Sequence, residues 1–230
     1  MGGVIPLCDG VETRMRRVGG TMESTGQESK GYRQRREERR RQEILLQAAY
    51  VLAEQGYHGV TLEAIASRLE MTKGSLYYYF PDKQEILSLV LKRGAQAAID
   101  YITKAIDAEA SPVDRLHQWV DAHIRFVCHE MPYSVTLLQT EAILDNPAHE
   151  EVEKMLHHYD KMLDRILEEG MAQGLFMTLP VRATRNFILG ALNWVPRWYL
   201  EEGTLQLEEL IAVYRGHILR LVGYRQINET

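Results

Sequence analysis

From Ile44 onward, apolar positions recur at helical spacing almost without interruption. Ile44, Leu45, Ala48, Ala49, Val51 and Leu52 form the wide stripe of a buried helix face. Gly56 is a natural stop for that helix. Leu62, Ile65, Ala66 and Leu69 then repeat at i, i+3, i+4, i+7 behind Thr61, whose hydroxyl suits an N-cap. After the link Glu70-Met71, Thr72 opens a short helix, Lys73-Gly74-Ser75-Leu76-Tyr77-Tyr78-Tyr79. Phe80-Pro81 closes it, because proline drives the residue before it out of the helical region. Asp82, with Glu85 three residues on, caps a long helix in a capping-box-like pattern. Short helix, tight turn, short helix is a helix-turn-helix layout.

The rest of the chain keeps the helical period. Ser111-Pro112-Val113-Asp114 supplies a cap, a first-turn proline and a first-turn acid. Pro132 ends that helix, Asn146-Pro147 opens a long one reaching Gly170 to Gly174, and Pro180 starts another expected to run to about Leu200. Past Gly203, Leu207, Leu210, Ile211, Tyr214, Ile218 and Leu221 mark the last helix. No segment alternates like a half-buried strand. The expectation is an all-α chain of about nine helices, divided into a tail at 1–32, a helix-turn-helix domain at 33–82 and a larger helical domain at 83–230.

Composition narrows the setting. At 230 residues with 45% hydrophobic and 26% charged positions, the chain can bury a substantial core. Residues 1–32 lack a sustained period and read as a disordered tail with no signal-peptide core. No apolar run reaches membrane-span length, and the two cysteines, Cys8 and Cys128, imply no disulfide framework, so a reducing cytoplasmic setting is expected. The net charge of −5 is unevenly placed. Residues 30–92 hold eleven Lys and Arg against eight Asp and Glu, whereas 93–230 hold thirteen against twenty. Six arginines fall between Arg33 and Arg41, Arg39 among them. Such asymmetry suits a nucleic-acid-facing end, although a charge run also suits a plain solvated helix face.

The short third helix carries the chemistry. The DNA major groove admits an α-helix whose N-terminal residues meet base edges. Here these are Thr72, Lys73, Gly74 and Ser75: small, polar or long-armed, with a glycine that lets the backbone approach closely. The phenols of Tyr77, Tyr78 and Tyr79 can bond phosphates, and so short a helix cannot bury all three, so at least two are expected outward. Lys83 stands ready for another phosphate.

Thr61-Leu62-Glu63-Ala64-Ile65-Ala66 and Thr72 through Lys83 resemble the TetR family of bacterial one-component transcriptional repressors. The resemblance implies an all-helical homodimer with an N-terminal three-helix DNA-binding domain and a C-terminal ligand-binding and dimerisation domain. It implies base contacts from Lys73, Gly74, Thr72 and Ser75, and phosphate contacts from Thr61, Tyr77, Tyr78, Tyr79 and Lys83. Tyr79 departs from a histidine common in the family, and the arginine run occupies the place of an N-terminal arm. The implied partner is a pseudo-palindromic operator in double-stranded DNA, released when an effector favours a dimer whose recognition helices no longer match successive grooves.

In the C-terminal half, Asn193-Trp194-Val195-Pro196-Arg197-Trp198-Tyr199 resembles the N-W-x-x-R-W-Y pattern of FadR-type members that sense acyl-CoA thioesters in fatty-acid and sterol breakdown. Pro196 and the acidic pair after Leu200 depart from it. On that resemblance Phe126, Leu138, Met162 and Phe187 are candidates to line an acyl channel, with Asn193, Trp194 and Arg197 at its polar end. Each apolar candidate also reads as ordinary core, and Trp194, Trp198 and Tyr199 also suit a dimer face.

Other classes fare worse. No nucleophile elbow, phosphate-cradling P-loop or dinucleotide fingerprint occurs, so no enzyme activity and no cofactor are expected. His117, His123 and His129 recur every six residues, which spreads them around a helix, and no metal site is expected. Two alternatives remain at this stage. One is a repressor of a drug-efflux operon sensing cationic lipophiles through Glu141, Asp145, Asp160 and Asp164; the other is a DNA-binding protein that answers to a partner protein instead of a ligand.

Overall fold

A computed structural model describes residues 23–130, 132–137, 147–199 and 203–224. Leu138, Glu141, Asp145, Cys8 and most of the expected tail lie outside the described residues. Within them, nine α-helices and one 3-10 turn follow in order: α1 (Glu23–Gly59), α2 (Leu62–Arg68), α3 (Lys73–Tyr79), α4 (Lys83–Ala105), α5 (Pro112–His129), α6 (Tyr133–Thr136), α7 (His149–Ala172), α8 (Val181–Asn193), the turn Val195–Arg197, and α9 (Leu207–Leu221). No strand occurs among the described residues.

The caps read from the sequence are in place. Thr61, Thr72, Asp82 and Ser111 each accept a hydrogen bond from the backbone N–H three residues on, which satisfies a donor that the first helical turn leaves orphaned. Gly56 has φ 69° and interrupts α1, a conformation open to glycine at little cost. Three boundaries differ from expectation. α1 begins at Glu23, ten residues before Arg33, so the arginine-rich helix extends further back than its period indicated. α6 is an extra turn of helix after Pro132. α8 stops at Asn193 instead of continuing to about Leu200: Pro196 lacks the N–H a helix needs and its ring crowds the preceding turn, so the backbone tightens into 3-10 geometry.

The chain divides into two compact units, residues 1–40 and residues 41–230. In the first, Arg33, Arg35, Arg36 and Arg39 are exposed on α1. The second contains two hydrophobic cores. One gathers Ile44, Ala48 and Leu52 of α1, Ile65 of α2, Leu76 of α3 and Ile86, Leu87 and Val90 of α4, and it also takes in Tyr133 of α6 and Val152 of α7. The other gathers Ile102 of α4, Leu116, Trp119 and Ile124 of α5, Leu163 and Leu167 of α7, Ile188 and Leu192 of α8, and Leu210 and Ile218 of α9. Each fully buried Leu or Ile contributes about 1.5–3 kcal/mol relative to exposure, so these cores account for the folding of helices as short as α2 and α3. α4 belongs to both cores, through Ile86–Leu91 at one end and Ala98–Ile102 at the other. The helix is therefore a rigid element common to the two.

Candidate nucleic-acid interface and sensor core

α2 and α3 meet through a turn in which Glu70 adopts φ 53° and Met71 N–H bonds back to the Ala66 carbonyl. Leu76, the one buried residue of α3, shares a core with Leu62, Ile65 and Ala66 of α2, so α3 is the more exposed, outer helix of the pair. Most of its other positions face outward: Lys73, Gly74 and Ser75 are exposed, as are Tyr77 (49%) and Tyr78 (72%). Tyr79 is half-buried and packs on the core, with Tyr78 edge-on to it at 5.0 Å. Two of the three tyrosines thus project outward. The Thr72 hydroxyl accepts from the Ser75 N–H at 3.1 Å and shares a 2.9 Å hydrogen bond with the Ser75 hydroxyl, so these two side chains define the start of the helix.

Gly74 is informative because the fold does not need it. A Cβ built there meets only Thr72 Oγ1, at 3.8 Å, and the backbone carries no positive φ. A glycine in a helix costs roughly 0.5–1 kcal/mol relative to alanine. Since nothing inside the chain requires the missing side chain, the space in front of Gly74 is available to something outside it.

Three charged contacts complete this face. Lys73 Nζ lies 2.5 Å from Glu63 Oε1 in the first turn of α2, and their hydrogen bond raises the ammonium pKa and lowers the carboxyl. Lys83, half-buried, places its ammonium 5.2 Å from the Tyr57 ring centre. Arg41 turns away from the arginine run: it donates to the Tyr79 carbonyl at the end of α3, stacks 4.3 Å over the Phe80 ring and faces Glu85 at 3.7 Å. Arg41 thus ties α1 to the C-terminus of α3 and the first turn of α4, a structural duty the charge run concealed.

In the larger core the sequence-derived candidates separate. Phe126 is buried, tilted against Tyr101 at 5.7 Å, and Met162 packs half-buried on the same core. Phe187 lines no buried channel among the described residues. The inward face of α8 is set by Thr184, Ile188 and Leu192, and Phe187, one residue off that face, is 65% exposed. Trp194 is 59% exposed, with the Arg197 guanidinium 5.0 Å over its ring. Asn193 points inward: its Oδ1 accepts from His123 Nε2 at 3.1 Å.

That last contact opens on a network not anticipated from sequence. His123 is buried, stacked on Trp119 at 5.0 Å, and its Nδ1 accepts from the Tyr159 hydroxyl at 2.6 Å. Asn193 Oδ1 can only accept, which assigns the imidazole proton to Nε2. Burial pushes the imidazole pKa down to about 4, against the opposing hydrogen bond to Asn193, and raises the Tyr159 phenol well above its usual range. The signal was present: His123 lies four residues after Trp119, on the apolar face of α5, whereas comparing histidines only with one another hid it. A second buried pair is Arg185 with Asp164, bonded through both carboxylate oxygens at 2.9 and 2.8 Å, with Asp160 3.4 Å away. Separately, a 560 Å³ cavity opens at the α4–α5 junction, lined by Tyr101, Lys104, Gln118 and Asp121 among others and by none of the expected channel residues.

A capped, tightly turned helix pair with an exposed outer helix, joined through α4 to a larger helical core with buried polar groups, defines a helix-turn-helix regulator. Residues 44–90 match the family described as bacterial regulatory proteins, tetR family, and residues 109–222 match the tetracyclin repressor-like C-terminal domain. The HTH-type transcriptional repressor KstR2 of Mycolicibacterium smegmatis is 30% identical over 184 residues, covering 78% of this chain and 89% of that one. The fatty acid metabolism regulator protein of Bacillus subtilis is 26% identical over 184 residues, covering 78% and 92%. The structure of AibR in complex with isovaleryl coenzyme A and operator DNA shares the fold, with a TM-score of 0.72 at 22% identity over 81% of this chain and all of that one. The chain belongs to the TetR family of transcriptional regulators. No helix among the described residues is long and apolar enough to cross a membrane.

Proposed function

We propose that the protein is a cytoplasmic transcriptional repressor that binds a pseudo-palindromic operator as a homodimer and is released by an acyl-CoA thioester. It works as a binding switch, without catalysis. The observation that carries the DNA half is the outer helix α3, with Lys73 and a Gly74 that internal packing leaves unexplained at its N-terminal end. In this reading residues 33–82 bind DNA and residues 83–230 sense ligand and dimerise. Thr72, Lys73, Gly74 and Ser75 face bases, Thr61, Tyr77, Tyr78 and Lys83 face phosphates, with half-buried Tyr79 packed on the core beside them, and Arg39 belongs to a phosphate-contacting arm.

The effector half rests on the end of α8. Arg197 stacked on exposed Trp194 offers a fixed cation beside an aromatic face, suited to the phosphates and adenine of a coenzyme A head. Asn193 connects that surface to the interior through His123. The apolar acyl part goes to the core near Phe126 and Met162, with Leu138 contributing from outside the described residues. Phe187 and Val213, exposed on α8 and α9, suit the subunit face instead. A relative named for fatty acid metabolism agrees with this class of ligand. Of the four acids of the cationic-lipophile alternative, Asp164 and Asp160 are engaged by Arg185, and Glu141 and Asp145 lie outside the described residues.

Two assays test the proposal. DNase protection of the upstream DNA should show two symmetric half-sites about one helical turn apart, roughly 10 bp. Thermal-shift titration should show stabilisation by acyl-CoA, but not by the free acid, and Arg197→Ala should weaken it. Protection without symmetry contradicts the dimer reading, and equal stabilisation by cationic dyes contradicts the effector class.

A further inference from the structure

Glu63 is the feature of the DNA-facing surface that the function above leaves unexplained. It stands in the first turn of α2 with its side chain 63% exposed, and its carboxylate meets Lys73 Nζ at the N-terminal end of the outer helix. A carboxylate at such a place is repelled by phosphates, and it neutralises the cation best placed to attract them. Stability does not explain it, because exposed ion pairs contribute little. A surface selected only for attraction to DNA would leave Lys73 alone.

We infer that Glu63 and Lys73 act as one donor–acceptor unit that reads a single G·C base pair in the major groove of each half-site. In that groove guanine presents O6 and N7 as acceptors and cytosine presents the N4 amino group as donor. Within the pair, O6 and N4 are joined by a hydrogen bond and lie about 2.9 Å apart. The protein offers the mirror arrangement, an ammonium and a carboxylate oxygen 2.5 Å apart. Lys73 Nζ donates to O6 and N7, and Glu63 accepts from N4–H. An A·T pair fits less well. Its adenine N7 acceptor then adjoins the carboxylate, and its thymine methyl crowds the ammonium. Because the unit is close to neutral, it adds sequence preference while contributing little to the salt-dependent attraction that any DNA receives.

The test uses the full chain and DNA duplexes selected from a randomised pool, followed by binding titrations at fixed salt with each of the four base pairs at every half-site position. The wild type should prefer G·C at one position by roughly ten- to hundredfold. Glu63→Ala and Lys73→Ala should each erase that preference at the same position and leave the others in force. Glu63→Ala should also tighten binding to random DNA and steepen its salt slope by about 0.9 per subunit, as Lys73 becomes free for a phosphate. Glu54→Gln is the control: it removes a carboxylate paired with Arg68 at 2.6 Å on the α1–α2 side and should leave every preference as in the wild type. An unchanged profile in Glu63→Ala, a preference for A·T at the affected position, or loss at different positions in the two variants would overturn the inference. Failure of the wild type to select any sequence would instead count against DNA recognition itself.

Discussion

His123 offers a quantitative test of the larger core. In the folded chain its imidazole has a pKa of about 4, because burial beside Trp119 and Tyr159 disfavours the cation. In the unfolded chain it titrates near 6.5. Between those values the unfolded state binds the extra proton, so stability rises with pH across the window and falls as pH drops through it. Above pH 6.5 the stabilisation is fully present. At pH 5 the unfolded histidine is almost wholly charged and the folded one almost wholly neutral, which removes about 2 kcal/mol relative to pH 7.5, approaching about 3 kcal/mol below pH 4. His123→Gln lacks the titrating group, and other ionisations cancel when variant and wild type are compared. Urea unfolding at pH 7.5 and 5.0, at one protomer concentration, should therefore show a pH-dependent loss about 2 kcal/mol larger in the wild type. Equal losses in the two proteins would refute the buried, neutral imidazole.

Gly74→Ala should leave thermal stability unchanged or slightly raised, since a Cβ there meets only Thr72 Oγ1 at 3.8 Å, yet weaken operator binding at least tenfold by holding the helix off the bases. Paired melting and binding measurements separate these effects, and unimpaired binding would remove Gly74 from the interface. Asp164→Ala leaves the buried Arg185 guanidinium with only Asp160 at 3.4 Å and Asn186, and should cost about 2–3 kcal/mol in urea unfolding; a change under about 1 kcal/mol would mean the pair is hydrated in solution. Deleting residues 1–38 should lower the salt dependence of DNA binding if Arg33, Arg35 and Arg36 contact phosphates, and an unchanged slope would return them to a solvated helix.

The DNA-binding half was legible because its signals are local. Thr61, Thr72 and Asp82 are caps three residues from the N–H groups they serve, and Pro81 acts on its immediate neighbour. That at least two of the three tyrosines point outward followed from the length of α3; the structure shows that they are Tyr77 and Tyr78. The larger core resisted because its determinants are contacts between distant segments. His123 finds partners 36 and 70 residues away, and Arg185 finds Asp164 on another helix, so no window of sequence contains either pair. The exposed position of Phe187 was not legible because hydrophobicity does not record which face of α8 turns inward. The early end of α8 was half legible: Pro196 announced a disturbance, and only the structure showed that it ends the helix three residues sooner. Arg41 shows the converse hazard, a cation inside a charge run whose guanidinium serves the fold.

The most direct test of the central claim is a fluorescence-anisotropy titration of the protein on its gene's own upstream DNA, at fixed salt, with and without short- and long-chain acyl-CoAs. The account predicts saturable binding that is lost on adding an acyl-CoA, while coenzyme A and free fatty acid have no effect. Tight binding untouched by every thioester would contradict it.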